Sequence, residues 1–265
     1  TLMRQSILPW VPVLFAALLC QRRNVGTFER CNVVALQRLY ALLLAGAVLV
    51  ACILPFTLRN YRVYGEFLLL NSNTGYAMYS AQHPMHGTSF REFDAAPLPP
   101  GLEGLNEAQM DRVLLRQGFQ FILDDPGRYL LLSLSRVRAY FEFWPTRDTT
   151  LFHNLGRVGS FGLFLPFMLY GLYLNLKSTN RQIGESENHV LCRTQHVVRI
   201  TSPAALLYLF ILFYSLMHIL TWAMVRYRLP VDAVLLPFAA LALENIGVNM
   251  FLRHITDDEN VRCEL

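Results

Sequence analysis

Four stretches of this chain, residues 5–21, 39–58, 158–176 and 203–225, contain no Asp, Glu, Lys or Arg. Each reaches roughly the 17 to 25 apolar residues that a helix needs to cross hydrocarbon. A fifth stretch, 229–243, is nearly as apolar, with its one acid, Asp232, near the start and Pro237 inside. A soluble core seldom calls for several segments that are apolar on every face. With hydrophobic residues at 54% and charged residues at 16% of 265 positions, the pattern predicts an all-α transmembrane protein of about five spanning helices. The formal net charge of +4 does not point to nucleic acid, because the arginines are scattered at the ends of apolar blocks, where topology signals belong.

Those arginines set the orientation. Arg22, Arg23, Arg30 and Arg38 lie between the first two spans, and Lys177, Arg181, Arg193 and Arg199 between the third and fourth. By the positive-inside rule both loops are cytoplasmic. The expected organisation is two spans joined by a cytoplasmic loop over 1–58, an extracytoplasmic loop over 59–157, three spans over 158–245 and a cytoplasmic tail over 246–265. The turn Arg226-Tyr227-Arg228 then falls on the outer face. Cys20, Cys31, Cys192 and Cys263 lie at or inside the cytoplasmic side, Cys52 lies within a span, and the outer loop has no cysteine. No disulfide framework is expected. The chain starts at Thr1, without the charged start and cleavage site of a signal peptide. It reads as the C-terminal part of a longer multi-pass protein of the plasma (inner) membrane.

In the outer loop, residues 67–75 combine a short apolar run with turn formers and are expected to be irregular, as is the Pro/Gly-rich connector 95–104. Two helices follow. Asn106 and Gln109 have capping-box spacing, and Met110, Val113, Leu114, Phe121 and Ile122 share a face. Asp125 caps the second, with Pro126 at its first position. That helix, 126 to about 144, carries Arg128, Arg136, Arg138 and Glu142, with Tyr140, Phe141, Phe143 and Trp144 at its end. This suits a helix lying in the membrane interface. Crossing would place Arg136 and Arg138 in lipid at roughly 2.5 to 3.5 kcal/mol each.

The second span passes into the outer loop through Pro55-Phe56-Thr57-Leu58-Arg59-Asn60-Tyr61-Arg62-Val63-Tyr64-Gly65. There follow Asn71-Ser72-Asn73-Thr74-Gly75-Tyr76, then Asp125-Pro126-Gly127-Arg128-Tyr129, then Arg226-Tyr227-Arg228-Leu229-Pro230 opening the last span. In order and membrane placement these segments resemble the dolichyl-phosphate-mannose protein mannosyltransferase-like family, which includes lipid A aminoarabinose transferases. The resemblance covers roughly residues 39–243. It implies the C-terminal portion of a C-type glycosyltransferase fold. The implied activity is transfer of a sugar from a polyprenyl-phosphate donor to a lipid, glycan or protein acceptor on the extracytoplasmic face, without a cofactor. The family's catalytic Asp lies in the first outer loop, expected upstream of Thr1, so no catalytic residue is assigned and these residues alone are expected to be inactive. Where the family often has Gly-Asn before a Pro, this chain has Ser80-Ala81-Gln82-His83-Pro84.

The residues give a physical counterpart. Breaking a sugar–phosphate bond leaves negative charge growing on a lipid phosphate, and a guanidinium fork matches phosphate oxygens. Arg59, Arg62, Arg226 and Arg228, with Tyr227, stand at outer ends of spans, where topology disfavours positive charge, and are the candidate donor contacts. Their alternative role is snorkelling to lipid headgroups. Asp232, four residues after Arg228, is placed to pair with it, and Asn60 is a supporting residue. His83 and His86 lack the further ligands that a metal site needs, and none is expected. Glu66, Glu92 and Asp94 read as solvated loop acids, and His218 as a hydrogen-bonding group between helices. A secondary transporter is the first rival, but the spans carry no internal repeat and no mid-membrane charge. A noncatalytic membrane scaffold is the second.

Overall fold

The computed structural model describes residues 5–20, 28–91, 94–146, 149–186 and 203–263. Among these there is no strand, and nine α-helices occur: α1 (Trp10–Cys20), α2 (Phe28–Tyr64), α3 (Thr74–Gln82), α4 (Glu107–Asp124), α5 (Pro126–Tyr140), α6 (Leu151–Arg157), α7 (Leu163–Ser186), α8 (Pro203–Leu220) and α9 (Leu229–Cys263). Three helical stretches are long and apolar enough to cross a membrane: Leu36–Tyr64, Leu151–Ser178 and Val225–Gly247. Two shorter apolar helices are Trp10–Leu19 and Ala204–Leu220. The case for a membrane is plainest in α2, where Leu39, Leu43, Leu44, Val48, Val50, Leu54 and Leu58 are all exposed. A long helix that leaves its apolar surface uncovered requires lipid or another apolar surface around it.

The chain forms two compact units, Thr1–Phe141 with Thr194–Tyr227, and Glu142–Arg193 with Arg228–Leu265. In the first, α1 is joined to α8 by Trp10, whose ring lies 5.4 Å from Phe210 and 5.8 Å from Phe213, and by a 3.1 Å hydrogen bond between the Ser6 and Tyr214 hydroxyls. Helices α3 and α4 lie backbone against backbone. A Cβ on Gly75 would fall 1.9 Å from the Asp111 carbonyl oxygen, and one on Gly118 would fall 2.8 Å from the backbone of Met78 and Tyr79. Around this contact Tyr79, Ala96 and Leu114 are buried, with Tyr76, Leu102, Met110 and Phe121 packed on them. In the second unit, α7 and α9 approach as closely, since a Cβ on Gly171 would fall 1.7 Å from the Phe238 carbonyl oxygen. Met168, Val231, Leu235, Phe238, Ala239 and Ala242 are buried there.

Local signals realise as expected. Asn106 and Gln109 form the reciprocal capping box of α4, and Asp125 accepts from the Arg128 amide at the start of α5 with Pro126 in the first turn. Residues 65–73 are irregular, although Thr74 already opens α3. Several expected boundaries move. The expected span 203–225 is helical only to Leu220, and α5 ends at Tyr140 rather than near 144. The first expected span is represented by α1 alone, preceded by the short turn Gln5–Ile7. Val113, placed on the apolar face of α4, is exposed. The third span begins earlier than expected, at Leu151, and contains a π-helical turn, Val158–Gly162. The arginines at 22, 23, 193 and 199 on which the orientation was argued lie outside the described residues, as does Glu92.

Candidate functional site

In the first unit, the end of α2 holds the chain that leaves it. Asn60 is 4% exposed and its amide donates to the carbonyls of Leu68 (3.2 Å) and Leu70 (2.8 Å), while the Thr57 hydroxyl donates to Leu69 (2.8 Å). Backbone acceptors of an irregular segment are thus satisfied by two side chains of the helix it folds against. The start of α4 joins the same place. The Tyr64 hydroxyl and Ser72 hydroxyl donate to Glu107, and the Asn106 amide donates to the Tyr64 carbonyl. Glu66, expected to be solvated, is paired with Arg112 at 2.5 Å. Arg59 and Arg62, on either side of Asn60, are exposed.

Helix α3 has a complementary charge at each end. Asp111 of α4 is buried and accepts from the Gly75 amide in the first turn of α3 at 2.7 Å. Burial pushes its carboxyl up from the usual value, against the lowering effect of the Gly75 and Tyr76 amides. At the other end, Arg128 of α5 donates to the Gln82 carbonyl (2.8 Å), and Arg136 of α5 donates to the Ala81 carbonyl and to the Gln82 side-chain oxygen (3.0 Å). Carboxylate at the N-terminus and guanidinium at the C-terminus both follow the helix dipole.

Arg136 itself is 0% exposed, with its guanidinium over the Phe90 ring at 5.1 Å. The interfacial placement of α5 was argued from keeping this arginine out of lipid. The structure instead encloses it in protein, where carbonyls replace water. Besides α3, it reaches the last turn of α8, donating to the carbonyls of Ile219 (3.4 Å) and Leu220 (3.5 Å). Gln82 and Tyr129 add donors to Leu220 at 3.3 and 3.2 Å, and Gln82 reaches Thr221 at 3.5 Å. Burial lowers Arg136 to about 10, so it remains charged at neutral pH.

Beyond this node the chain turns through Thr221 to Met224 into the 3-10 turn Val225–Arg228. The Tyr227 ring stacks on His218 at 4.8 Å and 16°, and the exposed Arg226 lies with its guanidinium 5.4 Å from the Tyr227 ring centre. His218 is buried between aromatic neighbours, with Tyr214 edge-on at 4.7 Å and Tyr140 at 6.3 Å.

In the second unit, Arg228 is 2% exposed. It forms the expected pair with Asp232, Nε lying 3.0 and 3.2 Å from the two carboxylate oxygens, donates to the Glu142 carbonyl at 3.4 Å, and lies 3.5 Å above the Phe161 ring. The π-helical turn carries Phe161, which is buried beneath it. Nearby, Arg157 binds Glu142 (3.0 Å), Thr146, Thr149 and Asn154, tying the chain after α5 to the start of α6. Arg228 therefore packs, and among the expected donor contacts Arg59, Arg62 and Arg226 are the exposed ones.

His83 and His86 are engaged locally: the His83 ring accepts from the Met85 amide, and His86 bonds the Ser80 carbonyl at 3.0 Å. Sequence reading passes over Asp111, names Gln82 and Tyr129 only within motif segments and without a role, and takes Arg136 for an interfacial charge. The one available signal was an arginine with Leu132, Ser133 and Tyr140 at helical spacing, which marks a buried face. Comparison of the chain with protein-family models, curated proteins and solved structures finds no match.

Proposed function

We propose that the chain is the C-terminal portion of a C-type membrane glycosyltransferase, and that Arg226, with Arg59 and Arg62, binds the phosphate of a polyprenyl-phosphate sugar donor. On this reading the chain has five spanning helices, around α1, α2, α6–α7, α8 and α9, and α3 to α5 lie on the extracytoplasmic side of the plasma (inner) membrane. The observation that carries this reading is the meeting of two apolar helices on one polar assembly. The C-terminal end of α2 is fastened to α4 through Tyr64, and the C-terminal end of α8 is fastened to α3 and α5 through Leu220. Both apolar helices therefore stop on the same side, each followed or flanked by exposed arginine. Such a boundary is where a lipid phosphate resides.

The chemistry follows from that placement. As the sugar anomeric carbon leaves the phosphate, the departing oxygen gains charge, and a guanidinium already in place stabilises it without reorganisation. The Tyr227 ring beneath Arg226 limits the directions the guanidinium takes, which favours a fork-like approach to phosphate oxygens. The test is to incubate the full-length protein in lipid with radiolabelled polyprenyl-phosphate sugars and follow the label. Transfer to a lipid, glycan or protein acceptor, weakened by Arg226→Ala, is the expected result. Absence of transfer from every donor in a folded full-length protein overturns the transferase reading.

A further inference from the structure

The sequence contains nothing that would stop α8 at Leu220. Residues 204–228 include neither Pro nor Gly, and the apolar run continues through Val225. Continuing the helix requires the carbonyls of Ile219, Leu220 and Thr221 to accept from the amides four residues on, those of Ala223, Met224 and Val225. Those three carbonyls are the ones engaged from outside: Ile219 by Arg136, Leu220 by Arg136, Gln82 and Tyr129, and Thr221 by Gln82. Resting on the donor-site reading above, we infer that Arg136, with Gln82 and Tyr129, is the positioning group that ends α8 at Leu220 and so sets Arg226 in place.

The geometry of the following turn shows what depends on it. In an unbroken helix, residues nine apart are separated by about 13.5 Å along the axis. The rings of His218 and Tyr227, nine apart, are stacked at 4.8 Å. The chain must therefore leave the helix and fold back, and Arg226 above the Tyr227 ring takes its position from that reversal. A buried cation is suited to the task. Two helix C-termini, those of α3 and α8, point their carbonyls at it, so Arg136 compensates both dipoles at once. Methionine of similar length fills the space and supplies no donor.

The experiment uses the full-length protein in lipid nanodiscs. Arg136→Met and the milder double change Gln82→Leu with Tyr129→Phe are each compared with the parent by amide exchange. In both, α8 extends, and exchange over residues 223–225 slows by about tenfold or more. In the R226C background, the labelling rate by a water-soluble maleimide shifts by a similar factor. With the native arginine kept at 226, the donor KM rises by about tenfold while kcat stays within about twofold, and Arg136→Lys restores part of the loss. Should Arg136→Met fail to fold, the double variant decides. Exchange over 223–225 that is unchanged or faster in every folded variant overturns the inference. The exchange and labelling arms stand whether or not the protein transfers sugar, so a failed transferase reading is told apart from a failed positioning role.

Discussion

Arg136 and Asp111 are both buried and ionisable, and they act on opposite ends of one nine-residue helix. Removing the Asp111 acceptor leaves the buried Gly75 amide without its 2.7 Å partner, so Asp111→Ala is expected to cost about 1 to 3 kcal/mol in detergent unfolding. Asp111→Asn keeps an oxygen there and costs less. The two forms also differ in pH response. Because burial raises the Asp111 carboxyl above its unfolded value, its contribution to stability is full below the ordinary carboxyl range and is lost as the pH rises through the raised value. Unfolding midpoints measured across the acid range therefore fall with rising pH in the parent relative to Asp111→Asn, and parallel curves for the two proteins contradict this account. Arg228 poses the reverse case. Its carboxylate partner is Asp232, so Asp232→Ala strands a nearly buried guanidinium and is expected to destabilise by about 3 kcal/mol, measured by thermal unfolding.

At the scale of elements, local chemistry was legible and tertiary chemistry was not. The caps of α4 and α5 depend on residues three positions apart, and Asn106 with Gln109, and Asp125 with Pro126, announce them directly. The end of α8 depends on Gln82, Tyr129 and Arg136, far away in sequence, and no property of residues 203–225 encodes it. The glycines were equally silent. Gly75, Gly118 and Gly171 look unremarkable in the chain, yet each marks a contact where one helix backbone rests on another. Gly171→Ala forces α7 away from α9, because the added carbon falls on the Phe238 carbonyl. An overpacking cost of about 1 to 3 kcal/mol is expected. Gly156→Ala, in open space on α6, serves as the control and is expected to be nearly neutral. Equal unfolding midpoints for the two variants would mean that the α7–α9 contact is looser than described.

For the whole molecule, the apolar blocks made a helical membrane protein legible, and three stretches of sufficient length bear that out. The exposure of the arginines expected to contact a donor was legible only in part, since Arg228 turns inward to Asp232 and Phe161 while Arg226, Arg59 and Arg62 remain exposed. Topology follows as a prediction. A cysteine introduced by Gly101→Cys is expected to react with reagent added outside the cell and not with reagent confined to the cytoplasm. The most direct test of the account is equilibrium binding of a short-chain polyprenyl phosphate to the full-length protein, with Arg226→Lys and Arg226→Ala beside the parent. A charge-assisted contact worth about 1.5 to 3 kcal/mol predicts roughly ten- to a hundredfold weaker binding for Ala, and a smaller loss for Lys, which keeps charge but not the fork. Parental affinity in a folded Arg226→Ala protein would contradict the donor-phosphate site.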